Sequence, residues 1–430
     1  MIKYKYEVTG SRLCGEVRVS GSKNAVLPIL AATLINKSVS YIDNCPALSD
    51  LDVAVEILES FGCSVFRSCQ CIVVDASHAT YHKVPPGLAA RCRASLAFSG
   101  SSYARFGLAE LASPGGCVLG PRPVDMHIDM MRLLGLEVKG LDSVSVQGNI
   151  LDSDITLPYP SVGVTENVMM MAARGHACVC IRNAAREPEI VNLAAYLSAL
   201  GVGISGVGTS HIVVRGCGEC CREVRVRVIP DRIEAATFLL AGAMSGRNVM
   251  VRDCFPCHFR KLSSLLYNMG CDLDIGTDYV TMRRGLLCRP LKPPVCVVAK
   301  PFPCFPTDMQ PLIMPLLCMI TSEKSQCVVT DTVFPARFAL CGELEKMGAR
   351  FHMLRGSCVL EGLKYKSFVA AKNLFSHDLR GGAALVLAGL ACEEGSVCDI
   401  FDGGFIERGY ENIAEKFSQI GGKVVVKLIQ

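Results

Sequence analysis

An amphipathic helix that ends at a glycine recurs six times along the chain. In each copy, apolar positions at helical spacing lead to an apolar residue, then to glycine, then to a short strand. Each glycine is predicted to occupy the left-handed position just beyond a helix end. The six are Gly62, Gly135, Gly201, Gly270, Gly348 and Gly421, at separations of 66 to 78 residues. A repeat of this period indicates an architecture built from one supersecondary unit.

A second helix of different character precedes the first in most copies. It is rich in alanine, apolar nearly all round, and followed by a polar turn and a β-branched strand. Examples run from Ala25 to Ile42, Val164 to Ile181, Glu234 to Val251 and Leu379 to Ile400. A helix that is apolar on every side is predicted to be buried, whereas the glycine-ended helices carry a charged face and are predicted to lie nearer the surface.

The six units divide naturally into two groups of three. The division is expected between the third and fourth glycines, near Val228, Ile229 and Pro230, where a strand ends at a proline. The pattern therefore predicts an α/β protein of two similar domains, in line with the two or three domains expected for 430 residues. A cleft between such domains is a preferred place for a ligand.

Composition narrows the classes of function. Half of the residues are apolar, a fifth are charged and the net charge is only +4, so we expect a large core and no nucleic-acid binding by bulk charge. The longest apolar runs, such as Pro311 to Ile320, are too short to span a bilayer. The first residues, Met1 to Glu7, lack the apolar core of a signal peptide, so we expect a cytoplasmic protein without membrane insertion.

The 24 cysteines are expected to be reduced thiols that pack as small apolar side chains. Cys69 and Cys71 are closely spaced, and so are Cys217, Cys220 and Cys221. Neither group has the second cysteine pair or the histidine partner that zinc spacing requires. We therefore expect no metal site.

The segment from Ser20 to Ala25 is the first that carries candidate chemistry. It lies where a strand gives way to the first alanine-rich helix, and it places Lys23 at the start of that helix. A helix N-terminus and an ammonium group together favour an anion. The alternative is an exposed lysine in an ordinary turn.

The second segment runs from Ala104 to His127 and is punctuated by glycines and prolines. Gly115 and Gly116 precede Cys117, and Arg122, Asp125 and His127 follow it. Paired glycines give a mobile loop and bring backbone amides close to a ligand. A cysteine near an arginine in such a loop is a candidate for tuned reactivity, and an ordinary surface turn is the alternative.

Further candidates lie in the second half of the chain. Asp308 stands just before a long apolar helix, where it is either a helix cap or a base. Arg232 opens the helix of the fourth unit, and Arg337, Arg380 and Arg408 recur at comparable places in the last two units. Each arginine taken alone is typical of a solvated or salt-bridging residue, but a repeat fold could bring them into one cleft.

These motifs, in this order, resemble the UDP-N-acetylglucosamine 1-carboxyvinyltransferases, which begin peptidoglycan synthesis. The resemblance extends over nearly the whole chain. Its motifs are Ser20–Ala25, Arg93–Ser95, Pro114–Cys117, Arg122–Asp125, Asn183–Ile190, Pro230–Glu234, Phe305–Gln310, Asp378–Arg380 and Arg408–Tyr410. It implies two inside-out α/β barrel domains, each of three βαβαββ-type repeats, with an active site in the cleft between them. The boundaries taken from it are 22–229 for the domain with the cysteine loop, and 1–21 plus 230–430 for the second domain.

The resemblance also implies the reaction and the site. Phosphoenolpyruvate and UDP-N-acetylglucosamine would give the enolpyruvyl ether and phosphate, with no cofactor. Asp308 resembles the base, and Cys117 the proton donor that can also bond covalently to the phosphoenolpyruvate unit. Lys23, Arg122 and Arg408 resemble the residues that bind the phosphate group of phosphoenolpyruvate. Arg337 and Arg380 resemble those that bind its carboxylate. The remaining substrate contacts that it implies are Asn24, Arg93, Pro123, Val124, Asp125, Met126, His127, Ser161, Val162, Gly163, Arg232 and Val333, with Arg122 and Asp308 also on the sugar nucleotide.

Two positions depart from the family pattern, and two other functions are possible. Tyr159 stands where family members often have lysine, and Pro335 where many have glutamate, which affects the expected affinity but not the reaction. The nearest alternative is the sister enzyme that acts on shikimate 3-phosphate, which would not need the Pro-Gly-Gly-Cys loop. The other is a non-catalytic ring or scaffold, since six repeats also build such rings.

Overall fold

The computed structural model describes residues 2–80, 83–111, 124–140, 144–288 and 290–429, with only the backbone of Arg93. These residues form two compact units. One comprises the described residues between 21 and 229, and the other joins residues 2–20 to the described residues between 230 and 429. Each unit has its own hydrophobic core.

The described residues contain thirteen α-helices, five short 3-10 turns and 23 strands. The helices are α1 Lys23–Thr33, α2 Ser49–Ser60, α3 Pro86–Ala89, α4 Ala97–Phe106, α5 Asp125–Leu133, α6 Val162–Ala172, α7 Pro188–Ala199, α8 Arg232–Ser245, α9 Arg260–Met269, α10 Gln310–Ile320, α11 Leu340–Lys346, α12 Leu379–Leu390 and α13 Ile413–Gln419. The strands are β1 Tyr4–Thr9, β2 Leu13–Arg18, β3 Val39–Asp43, β4 Ser64–Ser68, β5 Cys71–Asp75, β6 Leu108–Leu111, β7 Glu137–Lys139, β8 Val144–Gln147, β9 Ser153–Thr156, β10 Cys178–Arg182, β11 Gly203–Ser205, β12 His211–Arg215, β13 Val224–Arg227, β14 Gly246–Arg252, β15 Asp272–Ile275, β16 Tyr279–Arg284, β17 Cys296–Ala299, β18 Cys327–Asp331, β19 Ala349–Leu354, β20 Ser357–Leu363, β21 Leu374–Phe375, β22 Val397–Asp402 and β23 Lys423–Leu428.

Each unit contains three small sheets, one for each repeat. In the unit of residues 21–229 the strand orders are β13-β3-β5-β4, β6-β8-β7 and β11-β12-β10-β9. In the other unit they are β15-β16-β14-β2, β17-β18-β20-β19 and β21-β22-β1-β23. Most of these sheets contain one parallel pair of strands, as β17 and β18 are joined through the buried apolar helix α10. Antiparallel strands complete each repeat.

The helices that are apolar nearly all round lie inside the units, as their apolar circumference predicts. Helices α1, α4 and α6 pack together in one unit, and α8, α10 and α12 in the other. Every residue of α8 is buried. The sheets surround these helices with an alternating pattern of buried and more exposed residues, as in β22. The predicted inside-out α/β architecture is therefore confirmed.

The six helix-ending glycines all adopt the predicted backbone conformation. Their φ angles are positive, between 84° at Gly421 and 105° at Gly270. A side chain is strained in this region, which is why glycine marks the end of the same helix in every repeat.

The N-terminal segment is part of the unit formed mainly by the second half of the chain. Strand β1 lies between β22 and β23, so that Tyr6 pairs with Ile400 on one side and Val426 on the other. Strand β2 runs parallel to β14, with Val17 opposite Val251. Among the described helices, none combines the length and apolar character needed to cross a membrane.

Candidate active site

Asp308 lies in a single 3-10 turn, Thr307–Met309, directly before α10. The turn brings its carboxylate to the start of the buried helix, but the N-cap positions of the turn and of α10 are Pro306 and Met309 and not Asp308. The carboxylate instead contacts two arginines. The helix-cap alternative for Asp308 is therefore wrong.

Two guanidinium groups hold the Asp308 carboxylate from different elements. Arg337, in the turn Pro335–Ala339, pairs through Nη2 with Oδ1 and donates from Nη1 to the carbonyl oxygen of Thr307 at 2.5 Å. Arg380, in the first turn of α12, lies with Nη2 3.5 Å from Oδ2. Both arginine side chains are almost fully buried, whereas 23% of the Asp308 side chain remains exposed.

The charges around Asp308 decide its protonation. Loss of hydration would raise its pKa, but the guanidiniums of Arg337 and Arg380 outweigh that effect and hold the pKa well below its usual range. Arg232 adds to the same lowering from the start of α8. As it stands, the carboxylate is fully ionised and a weak base.

Arg380 has hydrogen-bonding capacity that the described residues do not use. Its guanidinium lies over the ring of Tyr410 at 5.3 Å, and the Tyr410 hydroxyl is 3.0 Å from that of Thr237. Its Nε and Nη1 are buried and have no hydrogen-bond partner within the described residues. Buried donors of this kind are costly unless they are satisfied, so the cluster is suited to an anionic ligand.

Arg408 and Val333 lie on turns next to this cluster. Arg408 ends the turn Ile406–Arg408, and a Cβ on the following Gly409 would lie 3.6 Å from Nη1 of Arg380. The Val333 N–H donates to Oδ1 of Asp331 at 2.8 Å. The same buried Asp331 accepts the Thr307 hydroxyl through Oδ2 at 2.6 Å, so it ties the Val333 turn to the Asp308 turn.

Arg232 is buried at the start of α8. Asp231 caps that helix by accepting from the Ile233 and Glu234 N–H groups at 2.7 and 3.1 Å. The Arg232 guanidinium lies over the ring of Phe302 at 5.6 Å. Burial and the charge of Arg232 together lower the pKa of His258 to about 4, so this neighbouring imidazole is neutral at neutral pH.

Lys23 is the first residue of α1, and it is not the exposed lysine of the alternative interpretation. It is 7% exposed, and its ammonium lies 2.6 Å from the carboxylate of Asp50 in the first turn of α2. Asn24 follows it in α1, where it is half-buried. A charged lysine is thus held at the N-terminus of a helix.

The start of α5 and the start of α6 lie close together. Val124 precedes α5, which begins with Asp125, Met126 and His127. Ser161 caps α6 by accepting from the Val164 N–H at 3.5 Å. Gly163, in the first turn of α6, lies beside the His127 imidazole, since a Cβ there would be 3.7 Å from Cε1.

Some predicted site residues lie outside the described residues. They are Cys117, Arg122 and Pro123, together with the side chain of Arg93. The described candidates form three groups within the units. These are the cluster of Asp308, Arg337, Arg380 and Arg232 with the turns of Val333 and Arg408, the start of α1 with Lys23, and the α5–α6 pair.

Comparison with known proteins identifies the family. The family model for EPSP synthase (3-phosphoshikimate 1-carboxyvinyltransferase) matches residues 8–417. UDP-N-acetylglucosamine 1-carboxyvinyltransferase 2 of Caldanaerobacter subterraneus subsp. tengcongensis is 38% identical over 428 residues, which cover 98% of this chain and 99% of that protein. UDP-N-acetylglucosamine 1-carboxyvinyltransferase 1 of Staphylococcus aureus is 38% identical over 424 residues, with 96% and 97% covered. The chain belongs to the UDP-N-acetylglucosamine 1-carboxyvinyltransferase family.

A solved structure agrees with the fold of this family. The enolpyruvyl transferase NikO from Streptomyces tendae superimposes with a TM-score of 0.87 over 100% of both chains, at 24% sequence identity. At that identity the likeness concerns the fold alone. Membership of an enzyme family makes the alternative of a non-catalytic scaffold wrong.

Three side chains that support the family site were missed by sequence reasoning. Asp50 pairs with Lys23, Asp331 ties two turns together, and Asn167 contacts His127. Asp50 and Asn167 lie in helices and Asp331 ends a strand, without a motif of their own. An acidic residue in the first turn of the helix after Lys23 is the one signal that could have suggested Asp50.

Proposed function

We propose that the chain transfers the enolpyruvyl group of phosphoenolpyruvate to the 3-hydroxyl of UDP-N-acetylglucosamine and releases phosphate. The observation that carries this proposal is the cluster in which Arg337 and Arg380 hold Asp308, because the reaction needs a base together with cations for an acidic substrate. Relatives that are 35–38% identical over nearly the whole chain bear the name of this activity, which favours it over the reaction on shikimate 3-phosphate.

In this mechanism Asp308 takes the proton of the sugar 3-hydroxyl. While both arginines pair with it, its low pKa opposes proton transfer. The carboxylate of phosphoenolpyruvate suits the same two guanidiniums, since arginine binds carboxylates through paired N–H groups. When the substrate carboxylate engages Arg337 and Arg380, the pKa of Asp308 rises towards that of an effective base. Binding of one substrate thereby prepares the base for the other.

The remaining steps need a proton donor and further cations. Cys117 is proposed to donate the proton to the methylene carbon of phosphoenolpyruvate, because a thiol with an ordinary pKa of about 8.5 can give up a proton near neutral pH. The sugar oxygen bonds to the adjacent carbon, which gives a tetrahedral intermediate with a methyl group. Loss of a proton from that methyl group then forms the double bond and expels phosphate. Lys23, Arg122 and Arg408 are proposed to bind that phosphate group.

The nucleotide sugar is proposed to bind at the starts of α5 and α6, among other contacts. The first amides of an α-helix lack intrahelical acceptors, so the start of α6 at Val162 and Gly163 favours a diphosphate. The other proposed contacts are Asn24, Arg93, Arg122, Pro123, Val124, Asp125, Met126, His127, Ser161, Arg232, Asp308 and Val333.

The proposal extends to domains and compartment. We assign domain boundaries of 22–229 and of 1–21 plus 230–430, each domain with three repeats, supported by the separate hydrophobic cores. The described cysteines are all free, as is usual in a reducing compartment, which supports a cytoplasmic location. Proton transfer, addition and elimination require no cofactor.

A phosphate-release assay tests this function. The chain is incubated with phosphoenolpyruvate and either UDP-N-acetylglucosamine or shikimate 3-phosphate. We expect phosphate only with the nucleotide sugar, and much less of it from the Asp308→Asn variant. Absence of phosphate with UDP-N-acetylglucosamine would overturn the proposal, and release with shikimate 3-phosphate would favour the sister reaction instead.

A further inference from the structure

Asn167 of α6 has an amide whose orientation is fixed by backbone groups. It is 2% exposed; its Oδ1 accepts from the Gly100 N–H at 3.0 Å, and its Nδ2 donates to the Leu96 carbonyl oxygen at 3.0 Å. The reverse orientation would place an NH2 group against an N–H and an oxygen against an oxygen. The nitrogen of this amide is therefore identified by its surroundings.

The close approach of two helices makes this arrangement possible. A Cβ on Gly100 of α4 would lie 2.5 Å from Oδ1 of Asn167. Glycine at that position therefore lets the backbone of α4 come within hydrogen-bonding distance of the asparagine. The amide is held by backbone on one side and is free to hold a side chain on the other.

That side chain is His127. Its Nδ1 lies 2.9 Å from Nδ2 of Asn167, and His127 is itself buried. Because an amide nitrogen only donates, Nδ1 must be the accepting nitrogen and carries no proton. A neutral imidazole with an unprotonated Nδ1 has its proton on Nε2, and an imidazolium would place two donors against each other.

The protonated nitrogen lies beside the first turn of α6. Nε2 is 3.8 Å from the position that a Cβ would take on Gly163. Gly163 stands four residues before Asn167, so the two share one face of α6. The Nε2–H of His127 is therefore next to the helix end whose amides favour an anion.

We propose that Asn167 is a positioning residue that holds His127 as the neutral Nε2–H tautomer, so that this N–H donates to an oxygen of the nucleotide sugar at the start of α6. The identity of that ligand rests on the proposed function, whereas the tautomer does not.

The tautomer is tested by NMR on the full chain with 15N-labelled histidine, without substrate. The His127 signals, assigned by their loss in His127→Gln, should show an unprotonated Nδ1 and a protonated Nε2. In Asn167→Asp the carboxylate accepts instead of donating, and the proton should appear on Nδ1. A protonated Nδ1 in the unaltered protein, or the same pattern in Asn167→Asp, would overturn the assignment.

The binding role is tested by kinetics. Asn167→Ala should raise KM for UDP-N-acetylglucosamine about tenfold, the effect of losing one good hydrogen bond, while kcat and KM for phosphoenolpyruvate stay within about twofold. The His127→Gln variant, whose amide nitrogen can replace Nε2, should keep more affinity than His127→Asn. An unchanged KM for the nucleotide sugar in Asn167→Ala would overturn the role.

Asn36 offers a matched control for the loss of a buried amide. It is fully buried in the same unit, donates to the Arg222 carbonyl oxygen at 2.7 Å and accepts from the Arg222 N–H at 3.1 Å. Asn36→Ala should lower thermal stability as Asn167→Ala does, yet leave the His127 signals and KM unchanged. If the chain releases no phosphate from UDP-N-acetylglucosamine at all, the proposed function fails, while the NMR result still decides the tautomer.

Discussion

At the scale of single residues, the most informative group is the carboxylate of Asp308 between two buried arginines. An ion pair of this kind is usually interpreted as structural, because each partner compensates the burial of the other. Here, however, Arg380 keeps two buried nitrogen atoms without a partner in the described part of the chain. The hydrogen bonding of Arg380 is therefore incomplete in this ion pair. An anion that accepts hydrogen bonds from the unused donors would stabilise the cluster.

The Asp308→Asn variant should separate the two roles of this cluster. Loss of the base should lower kcat by about 10²–10⁴-fold, the range for removal of a general base. The affinity for phosphoenolpyruvate should rise or stay the same, because a neutral amide competes less with its carboxylate for Arg337 and Arg380. Steady-state kinetics with both substrates measure the two effects. A loss of kcat below about tenfold would argue against Asp308 as the base.

Cys117 is expected to be the thiol that the phosphonate epoxide fosfomycin alkylates. Its sulfur would open the epoxide and keep the inhibitor attached, which mass spectrometry of the inactivated protein would detect. Cys117→Asp should lose both the adduct and the inhibition. The chain has 24 cysteines, so Cys69→Ser, which alters an exposed thiol, is the matched control and should remain sensitive. Unchanged inhibition of Cys117→Asp would show that the reactive thiol is another one.

At the scale of elements, the six glycine-ended helices allow a test by a pair of substitutions. Gly270 follows α9 with a φ of 105°, and among the described side chains only Leu291 lies within 4 Å of the position of a Cβ, at 3.8 Å. Gly270→Ala should therefore lower stability by about 1–2 kcal/mol through backbone strain alone. Gly342 lies inside α11 with open space around a Cβ.

Gly342→Ala is the control for that substitution. It should raise stability by about 0.4–1 kcal/mol, since alanine favours a helix and restricts the unfolded chain. Denaturant unfolding of both variants measures the difference. Equal effects of the two substitutions would contradict the role of the left-handed conformation.

Local signals explain how much of the fold could be predicted from the sequence. Helix ends, apolar helices and the period of the repeat depend on residues close in the chain, so the repeat architecture followed from Gly62 and its five counterparts. The contacts within the candidate site do not depend on residues that are close in the chain. Lys23 meets Asp50 because two helix starts adjoin, and Asp308 meets Arg380 across 72 residues of chain. No local pattern contains those contacts, which is why Lys23 was open to interpretation as an exposed residue and Asp308 as a cap.

At the scale of the whole molecule, the two units differ in how many stretches of chain build them. The chain begins in one unit, forms the whole of the other and then returns to the first. The core of residues 25–228 is contributed by one continuous stretch. The core of the other unit combines residues from 6–19 with residues from 233–420. Two of its three sheets depend on the N-terminal segment, because β1 is an inner strand of one sheet and β2 an edge strand of another.

This difference predicts how fragments behave. A fragment of residues 21–229 should fold alone and unfold cooperatively, since it retains its whole core. A fragment of residues 230–430 should not, because removal of β1 exposes both β22 and β23 along their hydrogen-bonding edges. Adding a peptide of residues 1–20 should restore its folding, as followed by near-ultraviolet circular dichroism and amide exchange. The matched control is a peptide in which the buried Tyr6 and Val8 are replaced by Asp, which should fail to do so because both side chains are fully enclosed in that core. If residues 230–430 fold fully without the peptide, the inner position of β1 contributes little to this unit.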